Sequence, residues 1–158
     1  MAFEVELCNG SETSNSLATV AEFDDYFTDR GNSEAVALTI AVKQSLLIKG
    51  SDYLKSVFEW DGVKYLTTQN LPFPRVISGS KICTPLNVKF ANIELALISN
   101  TEELQTNVGQ RVTKEKVSSI AVHYSEYSNE AVKYTSVYNL VKPYLSNASD
   151  SQRTVIRT

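Results

Sequence analysis

The sequence is poor in the residues that build reactive centres. It has one histidine, two cysteines and six glycines in 158 residues. Zinc sites gather three or four histidine, cysteine or carboxylate ligands, and Cys8, Cys83 and His123 are scattered with no short ligand spacing between them. No P-loop or dinucleotide fingerprint occurs, so a glycine-rich phosphate cradle is excluded. Nor is there a basic excess: fifteen Lys and Arg stand against eighteen Asp and Glu, for a net charge of -3. That balance argues against an extensive phosphate-binding face, although local patches survive such a mean. No segment approaches the roughly eighteen uncharged apolar residues of a membrane span. No apolar run follows a basic start, so no secretion signal is expected. Cys8 and Cys83 could pair, but two distant cysteines in a chain of this size read as free thiols of a reducing compartment.

What is present suits one ordinary domain. An apolar fraction of 42% with 21% charged residues is globular, and a chain of this length buries about 70% of its unfolded surface without staples. Phe3, Val5 and Leu7 alternate weakly, as a short strand or an arm. Thr19-Val20-Ala21-Glu22 has the spacing of a capping box, and Gly31 is a natural stop for the short helix it opens. A second helix is expected from near Ser33, with Ala37, Ile40, Ala41, Leu47 and Ile48 at three and four spacing and the pattern continuing to Phe58. Gly50 costs it about 1 kcal/mol against alanine. One long helix approached closely or bent at Gly50 is favoured over two helices split at Gly50-Ser51. Trp60 to Ser80 reads as a long connection without a regular element, a feature often tied to function. Thr84-Pro85 opens a third helix, cap then first-turn proline, with Leu86, Phe90, Ile93, Leu97 and Ile98 on its buried face and an end at Asn100. Val112–Val117 and Ile120–Tyr124 alternate as two short strands joined at Ser118-Ser119. Val137 to Leu145 suggests a last short helix limited by Pro143.

The expected class is therefore mainly α: a small helical bundle over residues 1–146 with a short two-stranded β excursion, and an extended C-terminal arm over 147–158. The most informative stretch is Gln69-Asn70-Leu71-Pro72-Phe73-Pro74-Arg75. Its prolines force Leu71 to Phe73 to run extended and hold Phe73 out as a stiff aromatic peg beside Arg75. That suits packing, either into the domain's own core or into a neighbour. His123 lies out of phase with Ile120 and Val122 and so faces solvent or an interface. Asp24-Asp25 and Glu102-Glu103 read as solvated surface, because adjacent residues do not share a helix face. Arg111, Lys114 and Lys116, with Tyr124, Tyr127, Tyr134, Tyr138 and Tyr144, offer a nucleic-acid surface. Glu115, Glu126 and Glu130 interrupt it, and tyrosines serve a protein interface equally well. Protein contact is favoured. The interface candidates are Phe73, Arg75, Tyr138, Tyr144, Arg153, Val155, Ile156 and Arg157, and no catalytic, cofactor-binding or metal-ligating set is expected.

Asn15-Ser16, Glu22-Phe23-Asp24-Asp25-Tyr26-Phe27, Arg30-Gly31 and Ser51-Asp52-Tyr53-Leu54 resemble, in order and spacing, a tailed-phage family labelled DnaT-like single-stranded-DNA-binding protein. The Gln69–Arg75 loop matches its glutamine, aromatic-proline-arginine signature, with Phe73 where tryptophan is usual. Pro85, Glu94-Leu95-Ala96-Leu97 and the Lys114 to Tyr124 stretch extend the likeness over nearly the whole chain. Despite the label, the resemblance implies a head-completion or head-to-tail adaptor. Its implied partners are the portal protein, neighbouring copies of itself in a ring of twelve, and a tail or tail-completion protein. Genomic DNA would pass through the channel without specific binding. The implied place is the virion neck, after assembly in the host cytoplasm. A single-stranded-DNA-binding accessory protein is the alternative, and a small hydrolase is disfavoured by the missing constellation. Val155 and Ile156, framed by Arg153 and Arg157, suit a strand added to a partner's open edge, against the plainer reading of a frayed terminus.

Overall fold

The computed structural model describes residues 2–105 and 134–146, with the backbone alone of 114–117 and 120–123. Helix α1, Val20–Asp29, begins at the capping box: Thr19 Oγ1 accepts from the Glu22 amide at 3.0 Å and the Glu22 carboxylate accepts from the Thr19 amide at 2.8 Å. Gly31, at φ +67°, turns the chain away as expected.

The second helix departs from expectation. A single turn α2, Ser33–Val36, precedes α3, Ile40–Val57, and Thr39 is a new N-cap between them. Lys43 holds this corner by donating to the Val36 carbonyl at 2.7 Å and pairing with Asp24 at 2.6 Å. The expected apolar face is corrected here as well: Ala37, Ile40 and Ala41 are exposed at the corner, and burial in α3 starts with Lys43, Leu46 and Leu47. At Gly50, by contrast, α3 continues unbroken. A Cβ there would stand 2.6 Å from Asn92 Oδ1 and 2.7 Å from the Asn92 carbonyl oxygen, so glycine is required by the close approach of the next helix.

That next helix is α4, Leu86–Ile98. Pro85, extended at φ -64° and ψ 151°, is itself the N-cap, so the expected Thr84 cap is displaced by one residue. The expected buried stripe is also corrected. Leu86 is 62% exposed, and Val88, Ala91, Asn92, Ile93, Leu95 and Ala96 are the buried residues. A single amphipathic stripe fails here because the helix is packed on two sides. Val88, Ala91 and Leu95 join one core cluster with Trp60, Leu71, Phe73 and Val137, whereas Ile93 and Ala96 join another with Phe23, Phe27 and Leu47.

The Trp60 to Ser80 stretch, expected as an irregular connection, instead forms with the two residues after it a three-stranded antiparallel sheet in the order β1 (Val63–Lys64), β2 (Arg75–Ile77), β3 (Ser80–Ile82). Val63 pairs with Val76 and Ile77 with Ser80 across a Ser78-Gly79 turn in which both residues have positive φ. Strands of two and three residues are too short to alternate visibly. The expected β excursion is present as β4 (Lys114–Val117) paired antiparallel with β5 (Ile120–His123). Helix α5, Thr135–Val141, is followed by a 3-10 turn, Lys142–Tyr144, at Pro143. The fold is mainly helical with a small antiparallel sheet, and the arm expected over 147–158 lies outside the described residues.

Cys8 and Cys83 are joined by a disulfide, with Cα atoms 5.0 Å apart, which corrects the reading of free thiols. A separation of 75 residues along the chain says nothing about distance in space. The N-terminal segment lies against Leu66, Gln69 and Asn70 and brings Cys8 to Cys83, just after β3.

Candidate functional site: the loop from Trp60 to Arg75

The stiff loop is built around its own polar atoms. Gln69 donates from Nε2 to the carbonyls of Leu71 at 2.9 Å and Pro74 at 3.0 Å, and its Oε1 accepts from the Leu66 amide at 2.9 Å. One side-chain amide thus fixes both ends of the proline turn, in which the Phe73–Pro74 peptide is cis. Asn70 faces the N-terminal segment: its amide donates to the Ser11 carbonyl at 3.1 Å and its Nδ2 to the Ser14 carbonyl at 2.8 Å. Its Oδ1 accepts from Lys55 Nζ at 2.6 Å.

Phe73 enters its own core, the first of the two alternatives that the sequence left open. Its ring is 0% exposed, packs edge-on to Trp60 with centroids 5.2 Å apart, and meets Tyr144 at 6.4 Å. A side chain so placed offers no surface to a neighbour, so the interface role expected of the ring is withdrawn. Arg75, 8% exposed, is likewise turned inward. Its Nε donates to the Asp61 carbonyl at 2.6 Å, Nη1 to Pro72 at 3.1 Å, and Nη2 to Trp60 at 3.1 Å and Gly62 at 2.7 Å. Four main-chain oxygens from two segments converge on one planar cation, a geometry that guanidinium alone provides. Burial holds Arg75 below its ordinary pKa, and the Asp61 charge offsets part of that shift. Tyr138 and Tyr144 are half-buried, and Arg153, Val155, Ile156 and Arg157 lie outside the described residues.

Glu6 is a residue that the sequence reading passes over. It is buried, and its carboxylate accepts from the amides of Asn9, Gly10 and Ser11 at 2.8–3.0 Å and from Ser14 Oγ at 3.0 Å. The available signal was an acidic residue three positions before an Asn-Gly-Ser turn. Asp24 is no surface decoration either, given its ion pair with buried Lys43.

Other cations stay nearer the surface but find partners within the domain: Lys64, Lys81 and Arg30 are exposed and Lys89 is half-buried. Lys64 donates to the Gln69 carbonyl at 3.1 Å, and burial together with the charges of Lys55 and Arg75 lowers its pKa. Lys89 pairs with Glu22 at 2.6 Å. Desolvation works to raise the Glu22 carboxyl, but the Lys89 hydrogen bond and the Thr19 cap outweigh it and hold the carboxyl low. Lys81 lies 3.7 Å above the Tyr65 ring, and Arg30 lies 3.4 Å above that of Tyr26. Glu12, Asp25, Asp29, Glu34 and Glu59 are exposed as well.

Tyr26 donates to Glu94 at 2.5 Å, and burial followed by that carboxylate pushes its pKa up to about 12. The unfolded chain would release this proton near 10, so the stabilisation is complete below that pH and is lost as pH rises from 10 toward 12. Melting curves across that range should show a steeper alkaline loss for the wild type than for Tyr26→Phe. Parallel profiles would rule Tyr26 out as the cause.

A cleft of about 480 Å³ lies beside the end of α4, lined by Lys49, Asp52, Tyr53 and residues 99–105. Burial raises the Asp52 carboxyl, against the pull of Lys55. The lining carries carboxylates, a lysine and hydroxyls but no histidine or cysteine to activate a nucleophile. Among the described residues no group of three His, Cys, Asp or Glu could hold a metal ion, and no helix is long and apolar enough to cross a membrane. No curated protein and no solved structure matches the chain. The model of the family described as "Putative DnaT-like ssDNA binding protein" matches residues 1–158, and the chain belongs to that family.

Proposed function

We propose that the chain is a structural virion component, a ring-forming head-tail adaptor that docks on the portal and joins the DNA-filled head to the tail. The observation that carries this reading is the acidic balance, eighteen Asp and Glu against fifteen Lys and Arg, with Lys43 and Arg75 buried in the fold while Glu12, Asp25, Asp29, Glu34 and Glu59 are exposed. A surface of that kind attracts phosphate weakly and suits a conduit through which DNA moves without being held. The signature loop adds rigidity, because its polar atoms and its aromatic ring all serve the domain's own packing. The portal, the neighbouring copies and the tail protein enter as partners through the likeness of the sequence to head-completion proteins. No catalytic role and no cofactor form part of the proposal.

A single-stranded-DNA-binding accessory protein is the second reading, favoured by the family's description and by Arg111, Lys114 and Lys116 in and before β4. Fluorescence anisotropy with a labelled oligothymidine, titrated with salt, separates the two. The adaptor should bind no tighter than the roughly 10⁻⁴–10⁻⁶ M of non-specific contacts. Submicromolar binding that weakens steeply with salt would overturn the conduit. Copies of the chain between portal and tail in electron micrographs of the neck are the positive expectation, and a neck lacking them would end the adaptor reading.

A further inference from the structure

The N-terminal segment is held to the rest of the domain in two ways. The first is non-covalent: Asn70 takes the carbonyls of Ser11 and Ser14, Ser51 Oγ accepts from the Leu17 amide at 3.0 Å, and Gly10 packs under Leu66. The second is the Cys8–Cys83 bond. Glu6 shapes the turn that carries Cys8, gathering the amides of Asn9 to Ser11 on one carboxylate. Cys8 stands at φ +70° directly before that turn. None of these contacts uses the sulfur atoms, so the turn keeps Cys8 opposite Cys83 with or without the covalent link. Cys83, just after β3, is exposed, and Cys8 is half-buried. One sulfur is therefore open to small reagents, while the other is held within reach of it.

The geometry points to a reversible latch at Cys8 and Cys83, a dithiol in a reducing cytosol that a low-molecular-weight disulfide converts to the bond. The Cys83 thiol loses its proton, and its thiolate attacks one sulfur of the small disulfide, breaking that S–S bond and expelling one thiol. The Cys8 thiol, also deprotonated, displaces the second small thiol from Cys83. The chain gives up two electrons and two protons, and the small disulfide is reduced to two thiols. Closing the latch ties the N-terminal segment covalently to the residue after β3, adding to the contacts made by Asn70 and Ser51. The timing rests on the adaptor reading, since a virion component leaves the cytosol when particles are released. The chemistry does not depend on it.

Full-length chain reduced with dithiothreitol and then exposed to glutathione disulfide tests the latch directly. The intact mass should fall by two hydrogens, the chain should stay monomeric on a non-reducing gel, and dithiothreitol should restore the starting mass. A closed loop of this length should raise the melting temperature by roughly 5–15 °C. Cys8→Ser and Cys83→Ser should melt like the reduced wild type in both buffers. Persistent free thiols, dimers linked through Cys83, or coincident melting of the oxidised and reduced wild type would overturn the latch. Alkylating thiols in infected cells and in released particles tests the timing. Thiols are expected before release and the bond after it; the reverse or no change would overturn that timing. A latch that closes in the purified chain while particles lack the protein would refute the adaptor alone.

Discussion

Replacing Arg75 with methionine should cost about 3–5 kcal/mol of unfolding free energy. The substitution keeps much of the side chain's bulk and removes the cation, leaving the carbonyls of Trp60, Asp61, Gly62 and Pro72 without their shared donor. A buried acceptor left unpaired costs roughly 1–3 kcal/mol, and hydrogen bonds to a charged group stand at the strong end of the range. Water at the outer edge of β1 will recover part of this for Asp61 and Gly62, which are exposed. Arg75→Lys should recover little. A point-like ammonium cannot reach four oxygens that surround a planar fork. Urea denaturation with an unchanged slope measures the effect, and amide exchange should quicken first around Asp61 to Lys64. A loss below about 1 kcal/mol for the methionine variant would show that the carbonyls find water instead.

Phe73→Ala should cost a similar amount, about 3–5 kcal/mol, from lost burial and from the cavity left between Trp60 and Tyr144. The site cannot collapse easily. Pro72 and Pro74 stiffen the backbone on both sides, and Gln69 pins their carbonyl neighbours. Phe73→Leu should cost markedly less, because most of the volume is kept. Chemical denaturation of both variants checks the order. An alanine variant as stable as the leucine one would mean that the ring is not an anchor of the core. Because Phe73 and Arg75 lie in one loop, their losses should not add, and the double variant measures the coupling.

These two residues show how much of the candidate site was legible. The paired prolines predicted a rigid presentation of Phe73 and Arg75, and that rigidity is present. Whether the peg pointed inward or outward depended on Trp60 and Tyr144, which come from separate parts of the chain. Arg75 next to an aromatic ring looked like a surface cation, since its acceptors are main-chain carbonyls that leave no trace in side-chain pattern. Glu6 is hidden in a related way, since three of its four donors are main-chain amides.

The sequence by itself determined the features that depend on neighbours within a turn or two. The Thr19-Glu22 capping box, the Gly31 stop, the hairpin register of β4 with β5, and the limit that Pro143 sets just beyond α5 are of this kind. Each is set by local hydrogen bonding or by backbone freedom. Tertiary structure alone decided the break at Thr39, the two-sided burial of α4, the three short strands around Gly62 and Arg75, and the Cys8–Cys83 bond. All of these depend on segments far apart in the chain meeting in space. Periodicity along a single segment records which residues avoid water, but not which distant surface covers them.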